Sequence, residues 1–446
     1  MPVYQPQIEQ EQQIESLLAP FGRFGVELGL ERIQRLLEAL GSPQQRVPLV
    51  HVAGTNGKGS VCAYLAAVLG AAGYRVGRYT SPHLVSWRER IEVNGEPIAA
   101  EDLVTRLKQV VVAIDPAQPS PTQFEVFTAA AWLHFAEAGV DVAVMEVGLG
   151  GRLDATNVVD APLVSVITSL SREHWQRLGP TLADIAREKA GVLKPGRPAV
   201  VGPLPSEAEA VVQARLAELS CPAVWAVPAV PLEAGTVRYG NGDEAISYPL
   251  ALLGEHQLTN SAIAIATLLT LRTQGWHISD DAIAQGMANA RWPGRLQWVT
   301  WGEDSLGCLL LIDGAHNPAA AKVLRQYVDS WWADQPGNPV GTAWLMGMLS
   351  TKDHSDIFAA LLRPGDALHL VPVPGHETAA PEDLAAIARS VCPELAQCEI
   401  HNSLRDGLMA IAQSPAQLKV LCGSLYLIGH FLATEPYRDV DAANTL

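Results

Sequence analysis

The chain has 446 residues, 48% of them hydrophobic, and a formal net charge of −16 with only 31 Lys and Arg. That length predicts two domains, the hydrophobic fraction excludes wholesale disorder, and an acidic chain without a basic stripe argues against a nucleic-acid binder. Anionic substrates stay open, because backbone N–H groups and a few local cations suffice to hold them. The six cysteines, Cys62, Cys221, Cys308, Cys392, Cys398 and Cys422, are scattered, with no C-x-x-C pair, and read as free thiols of a reducing cytosol. Met1–Leu18 has no basic start followed by an apolar run, and no apolar stretch reaches the roughly 18 residues that cross a bilayer. A soluble cytoplasmic protein is expected.

In chain order, the apolar run Val47–Val52 leads into Gly54, and a helix is predicted over Ser60–Ala72. Val140–Val147 and Leu163–Ile167 are apolar enough for strands buried on both faces. Residues 203–250 are rich in Pro, with a hairpin predicted near Tyr239-Gly240-Asn241-Gly242. The Pro-Gly of Ala290-Arg291-Trp292-Pro293-Gly294-Arg295 breaks regular structure and sets the expected domain boundary, giving domains 1–294 and 295–446. Beyond it, Leu309–Ile312 runs into Asp313-Gly314-Ala315-His316-Asn317-Pro318 and a helix from Ala319. Ala343–Met346, Ala367–Val371 and Leu418–Cys422 follow as strands, the last leading through Gly423-Ser424 to a helix over Leu425–Ala433. This βα alternation predicts an α/β fold: an N-terminal doubly wound, mostly parallel sheet and a smaller C-terminal Rossmann-like α/β domain.

The strongest local signal is Gly54-Thr55-Asn56-Gly57-Lys58-Gly59-Ser60, between a strand and a helix. Glycines let several N–H groups turn toward one anion, and the helix N-terminus adds the positive end of its dipole. Lys58 supplies a cation for β/γ-phosphates, and the Ser60 hydroxyl suits Mg²⁺. The spacing differs from G-x-x-x-x-G-K-[ST], being shorter between glycines and carrying Gly59 between Lys58 and Ser60. Phosphate binding alone leaves kinase, ATPase and ligase open. Glu146, closing a buried strand before a Gly-rich turn, stands at the ligand-binding edge of such a sheet and offers a hard oxygen for Mg²⁺.

The loop resembles that of the Mur ligase superfamily, and specifically the folylpolyglutamate synthase/dihydrofolate synthase family. Further matches follow in order: Ser81-Pro82-His83-Leu84, Glu89-Arg90-Ile91 with Asn94-Gly95, Thr122-Gln123-Phe124-Glu125 with Thr128, and Glu146-Val147-Gly148-Leu149-Gly150-Gly151-Arg152-Leu153-Asp154-Ala155-Thr156-Asn157. His174 with Leu178-Gly179, Glu188-Lys189-Ala190-Gly191, Gly254-Glu255-His256-Gln257 with Asn260, Trp292-Pro293-Gly294-Arg295 and Asp313–Pro318 complete the set. One departure is Glu173 before His174, where the family commonly carries Asp.

The resemblance implies an ATP- and Mg²⁺-dependent ligase that joins L-glutamate to tetrahydrofolate, and to dihydropteroate, through an acyl phosphate. Such a site must neutralise triphosphate charge, hold metal and exclude water. By the same resemblance Lys58, Glu146, His174 and Lys189 are catalytic. Ser60 and Glu146 hold one Mg²⁺, and His174 and Lys189 a second, with Lys189 either carrying CO₂ as a carbamate or serving as a plain ion-pair partner. Gly54–Ser60, Asn260, Arg295, Asp313 and His316 contact ATP. Asp313 has a second reading, as a cap of the helix at Pro318. Ser81, Pro82, His83, Thr122, Phe124 and Asp154 are the folate candidates, with Phe124 either stacking a ring or serving as core. Phe21-Gly22-Arg23-Phe24-Gly25 and Ser81–Arg90 are expected to shape two pterin positions around one centre. The enzyme is expected to act as a monomer, without nucleic-acid or membrane partners. Three alternatives remain: a synthase that only lengthens the glutamate tail; another Mur-type amino-acid ligase, against which stand the 53 residues before Gly54, too few for an additional UDP-binding domain; and a nucleotide switch that hydrolyses ATP without ligation.

Overall fold

The computed structural model describes residues 8–22, 29–233, 235–242, 245–302, 307–335 and 341–440. Arg23, Phe24 and Gly25 of the expected pterin loop lie outside the described residues. Two compact units result: the described residues up to Ala251 together with Gln257–Arg291, and Leu252–His256 together with Trp292 onward.

The first unit is built on β1 (Leu49–Ala53), β2 (Val76–Tyr79), β3 (Ile91–Val93), β4 (Glu96–Pro97), β5 (Val142–Glu146), β6 (Val164–Ile167), β7 (Ala199–Val201) and β8 (Ala223–Trp225), in spatial order 4-3-2-5-1-6-7-8. Only β3 runs against the rest, pairing antiparallel with β2 on one side and β4 on the other. β1, β5 and β6 are buried at every position, as strands covered by helices on both faces must be. The core on one face gathers Ile33, Leu107, Phe127, Trp132, Phe135 and Met145. A separate antiparallel sheet, β9 (Val230–Pro231), β10 (Thr236–Tyr239) and β11 (Ile246–Pro249), contains the hairpin expected near Tyr239. Residues 203–250, read from sequence chiefly as Pro-rich pieces, also include a helix over Ser206–Glu218.

The second unit holds β12 (Gln297–Trp301), β13 (Cys308–Ile312), β14 (Thr342–Met346), β15 (Ala367–Leu370), β16 (Gln397–Ile400), β17 (Leu418–Cys422) and β18 (Tyr437–Asp439), ordered 16-15-14-17-13-12-18. β12 joins the parallel strands in reverse, pairing antiparallel with β13 and with β18. Leu311, Trp344, Met346, Leu368 and Val420 pack with Phe358 and Leu384 to close its core. The chain is therefore a two-unit α/β protein with mostly parallel sheets.

Candidate active site

β1 is the central strand from which the fold turns outward: β5 lies on one side of it and β6 on the other, both parallel. The crevice at the carboxyl ends of such strands is where α/β sheets bind ligands. Gly54–Gly57 leaves β1 there, and the helix Lys58–Ala71 begins two residues earlier than its apolar run suggests, so Lys58 already belongs to its first turn. Gly57, at φ +85°, is the N-cap, and a Cβ on it would lie 2.4 Å from Asn260 Oδ1. Gly54, at φ +149°, has Thr168 Oγ1 where its Cβ would stand. Both positions require glycine because the backbone curls and neighbours press against it.

The loop is braced from the segment after β6. Thr55 N–H donates to Ser169 O at 2.7 Å, Thr55 Oγ1 accepts from Ser171 N–H at 3.1 Å, and Asn56 O accepts from Thr168 Oγ1 at 2.7 Å and Ser169 Oγ at 3.0 Å. These three positions, Thr168, Ser169 and Ser171, were missed in the sequence. Their signal is the hydroxyl-rich stretch Thr168-Ser169-Leu170-Ser171 directly after a mostly apolar strand. Ser171 Oγ is buried with no hydrogen-bond partner among the described residues.

Parallel register sets Val52 beside Glu146. The carboxylate is 5% exposed. It lies 3.8 Å from Lys58 Nζ and accepts from Ser81 N–H at 3.3 Å. Lys58 also donates to Thr55 O at 3.1 Å. Ser60 is buried, and its hydroxyl accepts from Gln257 Nε2 at 3.3 Å, while Asn260 Nδ2 donates to Gln257 Oε1 at 3.2 Å. The helix His256–Thr273 thus brings Asn260 against the phosphate loop.

Lys189 arrives from the helix Leu182–Ala190, whose start is fixed by a capping box between Thr181 and Asp184. Its Nζ, buried, donates to Gly54 O at 2.6 Å. Burial, then the neighbouring Lys58 charge, lowers its pKa to about 7, while Glu173, Asp154 and Glu146 act in the opposite sense. Glu173, the departure from the family pattern, therefore lies within electrostatic reach of Lys189. His174 follows with φ +50° at the position just before the short helix Trp175–Leu178. Gly151 has the Glu188 and Lys189 carbonyls 3.0 Å from its Cβ position, and Arg152 N–H donates to Glu188 O at 2.8 Å, so the Gly-rich turn after β5 seats the Lys189 helix.

The folate candidates divide. Ser81 meets Glu146, as above, and Pro82 is exposed beside it. His83 Nδ1 accepts from Arg90 Nε at 2.9 Å, its ring 4.7 Å from that of Trp87. Phe124 is half-buried, 6.2 Å from the Tyr79 ring, and its Cζ would be 2.5 Å from a Cβ at Gly148, so that glycine admits the ring to the turn after β5. Thr122 and Asp154 have internal partners. Thr122 Oγ1 accepts from Glu125 N–H at 3.2 Å while Thr122 N–H donates to Glu125 Oε2 at 2.6 Å, a capping box on the helix Gln123–Ala138. Asp154 is buried and accepts from Leu149 N–H, Thr156 N–H and Thr156 Oγ1 at 2.8, 3.0 and 2.6 Å. Thr122→Ala is accordingly expected to lower folding stability by about 1 kcal/mol, with Thr122→Ser close to wild type. Urea midpoints measure this; an unchanged midpoint with a raised KM for folate would instead place the hydroxyl on substrate.

Within the second unit, Asp313 closes β13. Its Oδ2 accepts from Leu296 N–H at 2.9 Å and its Oδ1 from Ala315 N–H at 2.8 Å, and burial raises its pKa against the lowering effect of Arg295. The alternative reading of Asp313 as a helix cap does not hold: Asn317 caps the helix Pro318–Ala333, its Oδ1 accepting from Ala320 N–H at 2.8 Å. An Asn directly before an N1 proline fits the capping geometry, whereas Asp313 is held by the turn at the strand end. His316 Nδ1 donates to Gly314 O at 2.8 Å, so Nδ1 carries the ring proton. Arg295 approaches Gly314, its Nη1 3.3 Å from the Cβ position.

Comparison with known proteins adds the lineage. The Mur ligase middle domain model matches residues 52–268, and the dihydrofolate synthetase C-terminal domain model matches residues 301–434. The chain is 37% identical over 411 residues to a folylpolyglutamate synthase of Lacticaseibacillus casei, covering 89% of this chain and 92% of that one. A Mycobacterium tuberculosis folylpolyglutamate synthase complexed with ADP and AMPPCP superposes with a TM-score of 0.83 at 31% identity, over 97% of this chain and all of the other. A bifunctional folylpolyglutamate synthase/dihydrofolate synthase of Yersinia pestis, complexed with AMPPNP and a Mn ion, gives 0.77 at 31% identity, over 94% and 96%.

Proposed function

The chain belongs to the folylpolyglutamate synthase/dihydrofolate synthase family of Mur-type ligases, and on that premise we propose that it joins L-glutamate to tetrahydrofolate, extending the tail, and to dihydropteroate, making dihydrofolate. The carrying observation is the convergence of Lys58, Glu146, Ser60, Asn260 and Lys189 on one glycine loop at the switch point of the first sheet.

The loop N–H groups and the start of the Lys58 helix receive the phosphates of ATP, and Lys58 holds the β/γ oxygens. The donor set fits a hard cation, because a buried carboxylate and a buried hydroxyl offer oxygen only. When bound, Mg²⁺ neutralises the phosphate oxygens and draws charge from the transferring group. Glu146 and Ser60 would hold it, with a second ion at His174 and a carbamylated Lys189. The substrate carboxylate attacks the γ-phosphorus, ADP leaves, and the amine of glutamate attacks the acyl phosphate carbon, expelling phosphate. Residues of this chain position the two partners and keep water out. Burial lowers the Lys189 pKa to about 7, which favours the free amine that carbamylation needs. Arg295, Asp313 and His316 are further nucleotide contacts in this reading, and Ser81, Pro82, His83 and Phe124 the pterin side. Thr122 and Asp154 act by shaping the elements that carry those residues. The enzyme works as a monomer.

Both activities need one chemistry and two pterin positions, since the folate carboxylate lies a whole glutamate farther from the ring. ADP release by the purified protein is expected to require glutamate with either dihydropteroate or tetrahydrofolate. Release with tetrahydrofolate alone as acceptor would leave only the tail-lengthening synthase, and release needing neither acceptor nor glutamate would favour a nucleotide switch.

A further inference from the structure

The second unit holds a cluster for which the proposed reaction has no use. β16 is the edge strand of its sheet and pairs in parallel with β15, placing His369 opposite Glu399. Side chains two apart on a strand share a face, so Glu399 and His401 project on the face that carries His369. The intervening Leu368, Leu370 and Cys398 pack into the core on the other face. His401 N–H donates to Leu370 O at 2.9 Å, continuing the ladder one residue past β16 and fixing the second imidazole.

His369 Nδ1 stands 3.0 Å from His401 Nε2 and 3.7 Å from Glu399 Oε2, and His401 Nε2 stands 3.9 Å from the same oxygen. A triangle with these sides, 3.0, 3.7 and 3.9 Å, has its circumcentre about 2.1 Å from every corner, the length of a Zn–N or Zn–O bond. His369 is 2% exposed, and its Nε2 has no hydrogen-bond partner among the described residues. Nothing on that side fixes the tautomer, so Nδ1 can present its lone pair to the cluster. The Glu399 side chain is 47% exposed, which gives an ion a route from solvent and a water its fourth position.

We propose that His369, His401 and Glu399 form a binding site for a divalent transition cation of the Zn²⁺ class, which ties the edge strand β16 to β15. Two imidazoles and one carboxylate favour Zn²⁺, Co²⁺ or Ni²⁺ over Mg²⁺, which distinguishes this site from the oxygen set at Glu146. Closing an edge strand this way also restrains a row of backbone groups that would otherwise be open to pairing.

Untagged full-length protein, titrated with Co²⁺ in excess Mg²⁺, should show visible d–d absorption saturating at one equivalent. His401→Ala should abolish the band, and Glu399→Gln should weaken Zn²⁺ binding by calorimetry at least about tenfold. His174→Ala should keep the band, since its metal is a different one. Circular dichroism verifies that the variants are folded, and Glu399, exposed as it is, tolerates the change to Gln. A wild-type protein without the band overturns the proposal, as do folded His401→Ala and Glu399→Gln variants that bind like the wild type; those results would leave a hydrogen-bonded imidazole pair beside a surface carboxylate.

Discussion

Lys58→Ala is expected to lower kcat at least about a hundredfold in a protein that remains folded. The ammonium sits in the first turn of the loop helix, held 3.1 Å from Thr55 O and 3.8 Å from Glu146. In that position it meets charge that shifts from the γ-phosphate toward ADP as the phosphoryl group moves, so it stabilises the transition state more than bound ATP. The loss should therefore appear in kcat, with KM for ATP changing much less. Glu146 retains the Ser81 N–H after the substitution, and the loop retains its bonds to Thr168, Ser169 and Ser171, so the fold has no reason to collapse. Near-normal kcat in the folded variant, by steady-state ADP release, would remove Lys58 from the chemistry.

Lys189→Ala should reduce activity by a comparable factor, and short carboxylates such as acetate should restore part of it. The reason is the setting of the amine: burial and the Lys58 charge bring its pKa down to about 7, and it donates to the Gly54 carbonyl of the phosphate loop. Above that pKa the amine is neutral and takes up CO₂; below it the protonated form does not, so carbamate occupancy and activity should fall together as pH drops through 7. A ¹³C resonance from labelled bicarbonate, present in the wild type and absent in Lys189→Ala, reports the modification. Absence of that resonance in active protein, with no rescue by acetate, would make Lys189 an ordinary cation bracing the loop.

Much of this was legible in the sequence where apolar runs and glycines dictate geometry. The nearly all-apolar run Val140–Val147 reads as a strand buried on both faces, and β5 is one. What escaped is what needs distant segments: Thr168, Ser169 and Ser171 brace a loop more than a hundred residues earlier, and no local period marks them. The apolar pattern places the helix start two residues late, because Lys58 and Gly59 carry no apolar signal although the helical turn begins on them. Thr122 illustrates the reverse case. The spacing Thr122-x-x-Glu125 is a capping-box signature in its own right, and the capping role is what the side chains display. Asp154, a folate candidate by its motif, is held by three N–H and O–H donors within its own turn, which only the folded turn reveals. The His369–His401 pair stayed invisible because 32 residues separate two histidines that only parallel strand pairing brings together.

The most direct test of the central claim follows one oxygen atom. Tetrahydrofolate labelled with ¹⁸O in its terminal γ-carboxylate is incubated with the enzyme, ATP and glutamate, and the released inorganic phosphate is examined by mass spectrometry. If the carboxylate attacks the γ-phosphorus and glutamate's amine then breaks the acyl C–O bond, each phosphate carries one ¹⁸O. Phosphate without label, released at the rate of ADP formation, would show that water and not the folate takes the phosphoryl group, and would contradict ligation through an acyl phosphate.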